Sequence, residues 1–271
     1  MCRLLLAALM ILSGFLSPVG AEEPVRLRLA TTTSVDNSGL MDSLIPVFQA
    51  RNPGVRVEVL AVGTGKAIKL AERGDVDMIL VHAPDLEEAF LKTGLGADPT
   101  WIMKNDFVLV GPREDPAGLK STAGLEEALR RLKAAGASFV SRGDESGTHQ
   151  KEKSLWRDVD GPPSVYLESG QGMCATLRIA DEKRAYTLSD RGSYLACTAG
   201  LSLDIAFQGG ASLENLYRVI LVNPERYPHV HFREAKDFLL WLTSEEGQQR
   251  IGSFQKDGQV LFHPFRGPGV N

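Results

Sequence analysis

The sequence predicts an α/β protein made of two lobes with a ligand cleft between them. Two observations lead to this fold class. Short apolar segments rich in β-branched residues alternate with amphipathic segments of helical period, which is the pattern of parallel sheets covered by helices. The alternation also occurs in two series, joined through short strand-like segments near Phe107–Pro112 and Gly210–Val222. A chain that crosses twice between two such units places its ligand between them, where domain interfaces commonly bind small molecules.

The first series alternates three strands with three helices. The strands are predicted at Val25–Ala30, Val55–Val62 and Val76–Val81, and the helices at Leu40–Arg51, Ala67–Arg73 and Asp85–Thr93. Each strand is a short apolar run, and each helix carries its apolar residues on one side. In the first helix, for example, Leu40, Leu44 and Phe48 recur at helical spacing and share one face.

The second series has strands predicted at Ser138–Ser141, Val165–Glu168 and Tyr186–Leu188, and a helix at Met173–Lys183. A strand at Phe107–Val110, closed by Gly111 and Pro112, and a helix at Leu125–Ala135 precede it. The strongly β-branched strand Tyr217–Val222 and the helix Glu234–Leu242 follow it. Phe238, Leu239 and Trp241 give the last helix its apolar face.

The first 21 residues have the pattern of a secretory signal. Arg3 precedes the apolar stretch Leu4–Leu16, and the small residues Gly20 and Ala21 follow as a cleavage site. The stretch is shorter than the ~20 residues that a membrane-spanning helix needs. We therefore expect a signal peptide at 1–21 and an exported, periplasmic protein. The first lobe is expected to comprise residues 22–108 and 213–271, and the second lobe residues 109–212.

Composition and charge exclude several classes of partner. The chain is 43% hydrophobic and 24% charged, which suits ordinary globular cores, and its net charge is −4. Nucleic acid and anionic membranes are not expected as partners, because both require a basic excess. There is no CxxC or HExxH pattern, so neither a metal site nor a cofactor is expected. Cys174 and Cys197 could form a disulfide in an oxidising compartment or remain buried thiols.

Four turns that join a strand to the next helix suggest an anion site. Helix N-termini in such turns expose unpaired N–H groups at the positive end of the helix dipole. The turns are Thr31-Thr32-Thr33-Ser34, Gly63-Thr64-Gly65-Lys66, Arg142 to Thr148, and Ser169-Gly170-Gln171-Gly172. All four fall on equivalent junctions, and open α/β sheets bind ligands at the carboxyl ends of their strands. The third turn is the most informative, because it combines a guanidinium with the helix entrance Ser146-Gly147-Thr148.

Less specific explanations exist for the same residues. Ser, Thr, Asn and Gly are preferred at helix starts without any ligand, and Arg142 could form a surface ion pair with Asp144 or Glu145. A hydrolase would need a nucleophile such as Ser146 or Ser34 beside His149, but adjacent residues at a helix start do not face one another and the G-x-S-x-G elbow is absent. We therefore do not expect an enzyme.

The order of these motifs resembles the tungstate-binding family of extracellular solute-binding proteins. The resemblance rests on the first and second turns with their flanking residues, and on Phe139–Asp144, Ser169–Met173, Ala180–Lys183 and Tyr186–Gly192. It runs from about Leu29 to Pro264. The third turn also resembles the Arg-x-Asp-x-Ser-Gly-Thr segment of phosphate-binding proteins of the same superfamily.

The resemblance implies a class II periplasmic-binding fold, one bound tungstate and delivery to an ABC transporter permease with its ATPase subunit. It implies the following ligand-binding residues: Thr32, Thr33, Ser34, Thr64, Arg142, Ser146, Gly147 and Thr148, with Gln171 and Gly172 from the fourth turn. Two features depart from the family pattern, Cys174 in place of a small residue and the segment Leu203–Leu216. A monomer is the usual expectation for a protein that docks on a transporter.

Other tetrahedral oxyanions remain open as ligands, as does a role as an oxyanion sensor. Tungstate near neutral pH is a deprotonated dianion that only accepts hydrogen bonds, whereas phosphate keeps a proton and needs an acceptor. Asp144 would favour phosphate if its carboxylate faces the ligand, and it would leave a donor-only site if it pairs with Arg142 or Lys66. Molybdate is too similar to tungstate in size and shape for the sequence to separate them.

Overall fold

A computed structural model describes residues 23–256 and 258–267. The predicted signal segment at 1–21 lies outside these residues. Within the part of the chain described, no helix combines the length and the apolar character needed to cross a membrane.

The first series forms a parallel three-stranded unit covered by helices. The strands are β1 (Val25–Thr32), β2 (Val55–Val62) and β3 (Met78–Val81), and the helices are α1 (Thr33–Ser38), α2 (Leu40–Arg51), α3 (Thr64–Glu72) and α4 (Pro84–Lys92). Strand β1 pairs in parallel with both β2 and β3, so the carboxyl ends of all three lie at one edge. Gly39, at φ 81°, ends α1 and lets α2 start in a new direction.

The second series forms a smaller sheet with its own helices. Its elements are α5 (Leu125–Ala134), β5 (Phe139–Ser141), α6 (Gly147–Arg157), β6 (Tyr166–Glu168), α7 (Met173–Glu182), β7 (Thr187–Asp190), α8 (Arg191–Cys197) and β8 (Leu203–Gln208). Strand β5 pairs in parallel with β6, and a parallel bridge from Phe139 to Tyr186 places it beside the start of β7. The carboxyl ends of β5 and β7 therefore also lie on one side.

Two long strands connect these units. Strand β4 (Gly96–Pro112, 17 residues) is antiparallel to β9 (Glu214–Val222) as far as Asp106, and from Phe107 onward it pairs instead with β7 and β8. Strand β9 also pairs with β3, which gives the order β12-β4-β9-β3-β1-β2 with β7 and β8 attached to β4. The chain closes with α9 (Phe232–Thr243), α10 (Glu245–Ser253) and the short strands β10 (Gln255–Lys256), β11 (Gln259–Val260) and β12 (His263–Pro264).

The hydrophobic core is divided in the same way. Two clusters of buried residues draw only on residues 27–103 and 217–262, and two others draw only on residues 107–213. The structure is thus a two-lobed α/β fold of the predicted class, with β4 and β9 as the crossing strands. The residue-level lobe boundaries given above stay a prediction.

Most predicted elements are confirmed to within a few residues, and the exceptions have physical causes. The strand predicted at Phe107–Val110 is only the apolar end of β4, because Thr100, Lys104 and Asp106 interrupt the apolar pattern upstream while the backbone continues to pair with β9. Strand β8, helix α10, the short helices α1 and α8 and three two-residue strands near the end of the chain were not predicted, and α6 was predicted only as a helix entrance at Ser146-Gly147-Thr148. Strand β8 lies in the segment that departs from the family pattern, and α10 has few apolar residues.

Cys174 and Cys197 form a disulfide, with their Cα atoms 5.1 Å apart. The bond joins the start of α7 to the end of α8, so it fixes two helices of the second lobe to one another. Of the two alternatives left open by the sequence, the structure contains the disulfide.

Candidate functional site

The strand ends of both lobes meet in the middle of the molecule. Three glycines lie close to the opposite lobe, as the position of an added Cβ atom on each of them shows. A Cβ atom on Gly63 would lie 4.0 Å from Ser146 Cα, and one on Gly65 would lie 3.7 Å from the Glu145 carbonyl oxygen. A Cβ atom on Gly147 would lie 2.6 Å from His82 Cε1. The second and third predicted turns, from opposite lobes, are therefore in contact.

Arg142 follows β5 directly and is 4% exposed. Its guanidinium contacts the Asp144 carboxylate, and Asp144 Oδ1 also accepts a hydrogen bond of 3.2 Å from the Ser146 backbone N–H. The ion pair considered from the sequence is thus present, but it is not a surface pair, because the guanidinium is buried. Arg142 Nε has no hydrogen-bond partner within the described part of the protein. A buried donor without a partner is costly, so an acceptor is expected there.

Thr64 supplies a second unpartnered group. This residue begins α3 at the end of β2, its side chain is completely buried, and its hydroxyl lacks a partner among the described residues. Thr148, two positions into α6, is also buried at 2% exposure. Ser146 caps α6 by accepting a 3.3 Å hydrogen bond from the His149 backbone N–H, so its hydroxyl hydrogen stays available for another acceptor.

The first turn is part of a buried polar network. The Thr32 and Ser34 hydroxyls lie 2.8 Å apart, while Thr33 between them is half-buried. Ser34 Oγ is 3.4 Å from His82 Nε2, and His82 Nδ1 is 2.8 Å from Asn215 Oδ1. The network connects the predicted ligand residues with the crossing strand β9.

The hydrogen bonds of Asn215 determine the tautomer of His82. The Asn215 amide nitrogen donates to Asn105 Oδ1 and to the Tyr217 hydroxyl, so its oxygen must accept from His82 Nδ1–H. His82 Nε2 is then an acceptor for the Ser34 hydroxyl. Burial lowers the pKa of His82 to about 4, and the hydrogen bond to Asn215 and the charge of Arg142 act as smaller, opposed influences. His82 is therefore neutral at pH 7.

The fourth turn lies next to Arg142 but turns its predicted residues outward. The Gly170 backbone N–H and the Ser169 hydroxyl donate to the Arg142 carbonyl oxygen at 2.9 and 3.2 Å. Gln171 and Gly172 are both exposed. This turn thus supports the backbone of Arg142, and its two candidates stand apart from the buried group formed by the other turns.

Two further buried residues at this edge, Asp190 and Ser193, were not predicted from the sequence. Asp190 ends β7, is 1% exposed and caps α8 through Oδ1, which accepts a 2.9 Å hydrogen bond from the Ser193 backbone N–H. Asp190 Oδ2 and the Ser193 hydroxyl have no partner among the described residues. Their signal was a polar residue at the carboxyl end of a strand, the same signal that would have identified His82 directly after β3.

The catalytic alternatives gain no support from this geometry. His149 Nδ1 accepts a 3.1 Å hydrogen bond from the Glu145 backbone N–H, and Ser146 contacts the backbone of His149 rather than its ring. In the described ranges, no group of three or more His, Cys, Asp or Glu side chains could hold a metal ion. The site consists mainly of hydroxyl, amide and guanidinium donors, which suits a small oxyanion.

A separate cleft of about 440 Å³ lies between the start of α4 and one face of α6. It shares His82 and Gly147 with the buried group, but its other lining residues include Asp85, Lys151 and Arg157. None of the other predicted ligand residues lines it, so we regard it as distinct from the candidate oxyanion site.

Comparison with known proteins gives consistent results. A family model described as a PBP superfamily domain matches residues 18–246. A tungstate-binding protein TupA from Peptoclostridium acidaminophilum is 42% identical over 92% of this chain and 90% of its own length. Another TupA, from Campylobacter jejuni, is 39% identical over 84% of this chain and 87% of its own length. A putative ABC transporter anion-binding protein of Haloferax volcanii is 45% identical over 88% of this chain and 71% of that protein.

Solved structures agree with these relatives. The tungstate-binding protein TupA from Desulfovibrio alaskensis G20 is 44% identical, with a TM-score of 0.79 over 90% of this chain and 100% of that one. A structure described as the tungstate ABC transporter from Geobacter sulfurreducens is 46% identical, with a TM-score of 0.78 over 84% of this chain and 98% of the other.

Proposed function

Because this chain belongs to the TupA family of tungstate-binding proteins within the PBP superfamily, we propose that it captures tungstate between its lobes and delivers it to an ABC transporter. The observation that carries the proposal is the buried Arg142 guanidinium at the point where the turns of both lobes meet, because its Nε has no partner among the described residues. The protein is a binding protein of a transport system and not an enzyme.

The donor character of the site supports a deprotonated anion. Arg142, Thr64 and Thr148 offer N–H and O–H groups from three buried positions. Asp144 is engaged by Arg142 and by the Ser146 N–H, so it does not act as a free acceptor for a protonated anion. This arrangement favours tungstate or molybdate over phosphate, which keeps one proton near neutral pH.

The complete ligand set that we propose includes all ten residues predicted from the sequence. Eight of them, Thr32, Thr33, Ser34, Thr64, Arg142, Ser146, Gly147 and Thr148, belong to the three turns that contain the buried groups. Gln171 and Gly172 contribute only if their turn moves toward the ligand on binding. Gln171→Ala is therefore expected to weaken tungstate binding less than Arg142→Ala does.

Calorimetry with tungstate, molybdate, sulfate and phosphate in turn tests the ligand. We expect tungstate to bind most tightly and Arg142→Ala to weaken its binding by more than ~1.5 kcal/mol, the value of a charge-assisted contact. Arg130→Ala is a matched control, because Arg130 is an exposed residue of α5 paired with Glu126, and it should bind tungstate normally. Tighter binding of phosphate than of tungstate would refute the ligand assignment.

The finer aspects of the function are also proposals. We propose that residues 1–21 direct export to the periplasm, that the mature protein is a monomer, and that it docks on a permease driven by an ATPase subunit. A sensor would use the same fold, since closure of two lobes about a hinge is itself a signal. Transporter genes next to the coding gene would favour uptake, and a histidine-kinase gene there would favour sensing.

A further inference from the structure

Asp190 is a buried carboxyl group at the centre of the molecule. It is the last residue of β7, pairs with Phe107 of β4 in the sheet, and so lies where β4 changes partner from one lobe to the other. A parallel bridge joins the starts of β5 and β7, so the end of β7, where Asp190 lies, is beside the end of β5. The end of β5 leads directly into Arg142. The position of Asp190 is therefore equivalent to that of the residues already assigned to the oxyanion site.

Within the described residues, only one of the two Asp190 oxygens is used. Oδ1 caps α8, whereas Oδ2 is buried and makes no hydrogen bond to another described residue. Eight buried side-chain atoms lack a partner in this part of the chain, and three of them, Asp190 Oδ2, Arg142 Nε and Thr64 Oγ1, lie at the ends of β7, β5 and β2. A buried polar atom normally has a hydrogen-bond partner, so this grouping points to a shared ligand.

Among the residues that the structure describes, the charged groups named for Asp190 leave no unpaired cation to stabilise an ionised carboxylate. Arg142 is the nearest positive group from β5, but Asp144 already contacts its guanidinium. Arg191, on the same element as Asp190, is held by Asp106 of β4 at 2.6 and 2.8 Å. Tyr217 of β9 and His82, which packs against it, are both uncharged at neutral pH. Burial raises the pKa of Asp190, and the nearby polar groups of Ser193 and the charge of Arg142 only partly offset this effect.

We propose that Asp190 is a further ligand-binding residue, which donates a hydrogen bond from Oδ2 of its neutral carboxylic acid to the bound oxyanion. This inference rests on the proposed function, because it requires a dianion in the site. An ionised carboxylate beside a dianion would place like charges together in a medium that screens them poorly, whereas the protonated group adds one more donor. Binding should therefore take up a proton whenever the carboxyl is ionised in the ligand-free protein.

Tungstate is a suitable probe between pH 7 and 9, because it carries no proton of its own there. Calorimetric titration at each pH in two buffers of different ionisation enthalpy measures the protons taken up per anion bound. Wherever Asp190 is ionised in the ligand-free protein, we expect the wild type to take up protons, at most about one from this carboxyl per anion bound, with affinity falling by up to about tenfold per pH unit. Asp190→Asn keeps the Oδ1 cap and offers an N–H donor, so it should bind tungstate with no uptake and no such pH dependence.

Asp204→Asn is the matched control, because Asp204 is a half-exposed carboxylate of the same lobe that pairs with Lys120, and this variant should show the wild-type uptake. Wild-type uptake in Asp190→Asn would overturn the inference. Loss of tungstate binding in a folded Asp190→Asn protein would also overturn it, since an amide N–H would then fail to replace the proposed carboxyl donor. If that variant does not fold, release of a proton by the wild type on binding, with affinity rising with pH, would overturn it. A wild-type protein that does not bind tungstate at all would refute the proposed function instead.

Discussion

The neutral His82 should make the stability of the folded protein sensitive to acid. In the folded protein its pKa is about 4, and in the unfolded chain it returns to 6.5. The unfolded chain therefore binds a proton between these values and the folded protein does not. The stability contributed by neutral His82 is fully present above pH 6.5 and is lost as the pH falls to 4. A difference of 2.5 pKa units at 1.36 kcal/mol each gives about 3 kcal/mol.

Urea unfolding followed by circular dichroism at pH 7, 6, 5 and 4 measures this contribution. Buried carboxyls act in the opposite direction, such as Glu87, whose pKa burial raises to about 7. The informative quantity is therefore the stability difference between the wild type and His82→Phe, which keeps an aromatic ring against Tyr217 but cannot titrate. We expect this difference to shrink by about 3 kcal/mol from pH 7 to pH 4.

His263→Phe makes the same side-chain exchange at an exposed position and serves as the control. If the difference between wild type and His82→Phe stays constant to within about 0.5 kcal/mol, burial does not keep His82 neutral. His82 would then be solvated or charged in the folded protein.

Two further predictions concern lobe contact and the disulfide. Gly147→Ala would place a methyl group 2.6 Å from His82 Cε1, so calorimetry should show that tungstate binding is weakened by about 1–3 kcal/mol. Gly124→Ala is the control and should bind tungstate as the wild type does, because a Cβ atom added there meets nothing within 4 Å. The double variant Cys174→Ser with Cys197→Ser lacks the disulfide, which closes a loop with a sequence separation of 23 residues, so urea unfolding should show about 3 kcal/mol less stability. Reductant should have no further effect on this variant. A urea midpoint equal to that of the wild type would contradict the prediction.

The sequence predicted the strand-to-helix junctions well, because they are encoded by local chemistry. A β-branched run followed by Gly, Ser or Thr specifies both the end of a strand and the start of a helix. The sequence could not reveal which junctions face each other, because that depends on how the lobes pack. The contact of Gly147 with His82 joins residues far apart in the chain, and nothing local to either residue predicts it.

Asp190 illustrates a different limit. Its place after an apolar strand was visible, but an aspartate at that place is also a common helix cap, and Asp190 does cap α8. What distinguishes it is that one carboxyl oxygen is used, while the other is buried and has no partner in the part of the chain that the structure describes. That difference arises from tertiary burial, and sequence spacing carries no information about it.

Strand β4 has a mechanical consequence for the whole molecule. It changes partner between Asp106 and Phe107 within one continuous strand, so the same strand contributes residues to the cores of both lobes. Unfolding of either lobe would free one half of β4 and so disturb the sheet that its other half forms. We therefore expect a single unfolding transition rather than two, and relative motion of the lobes must bend or twist β4 together with the second crossing strand, β9.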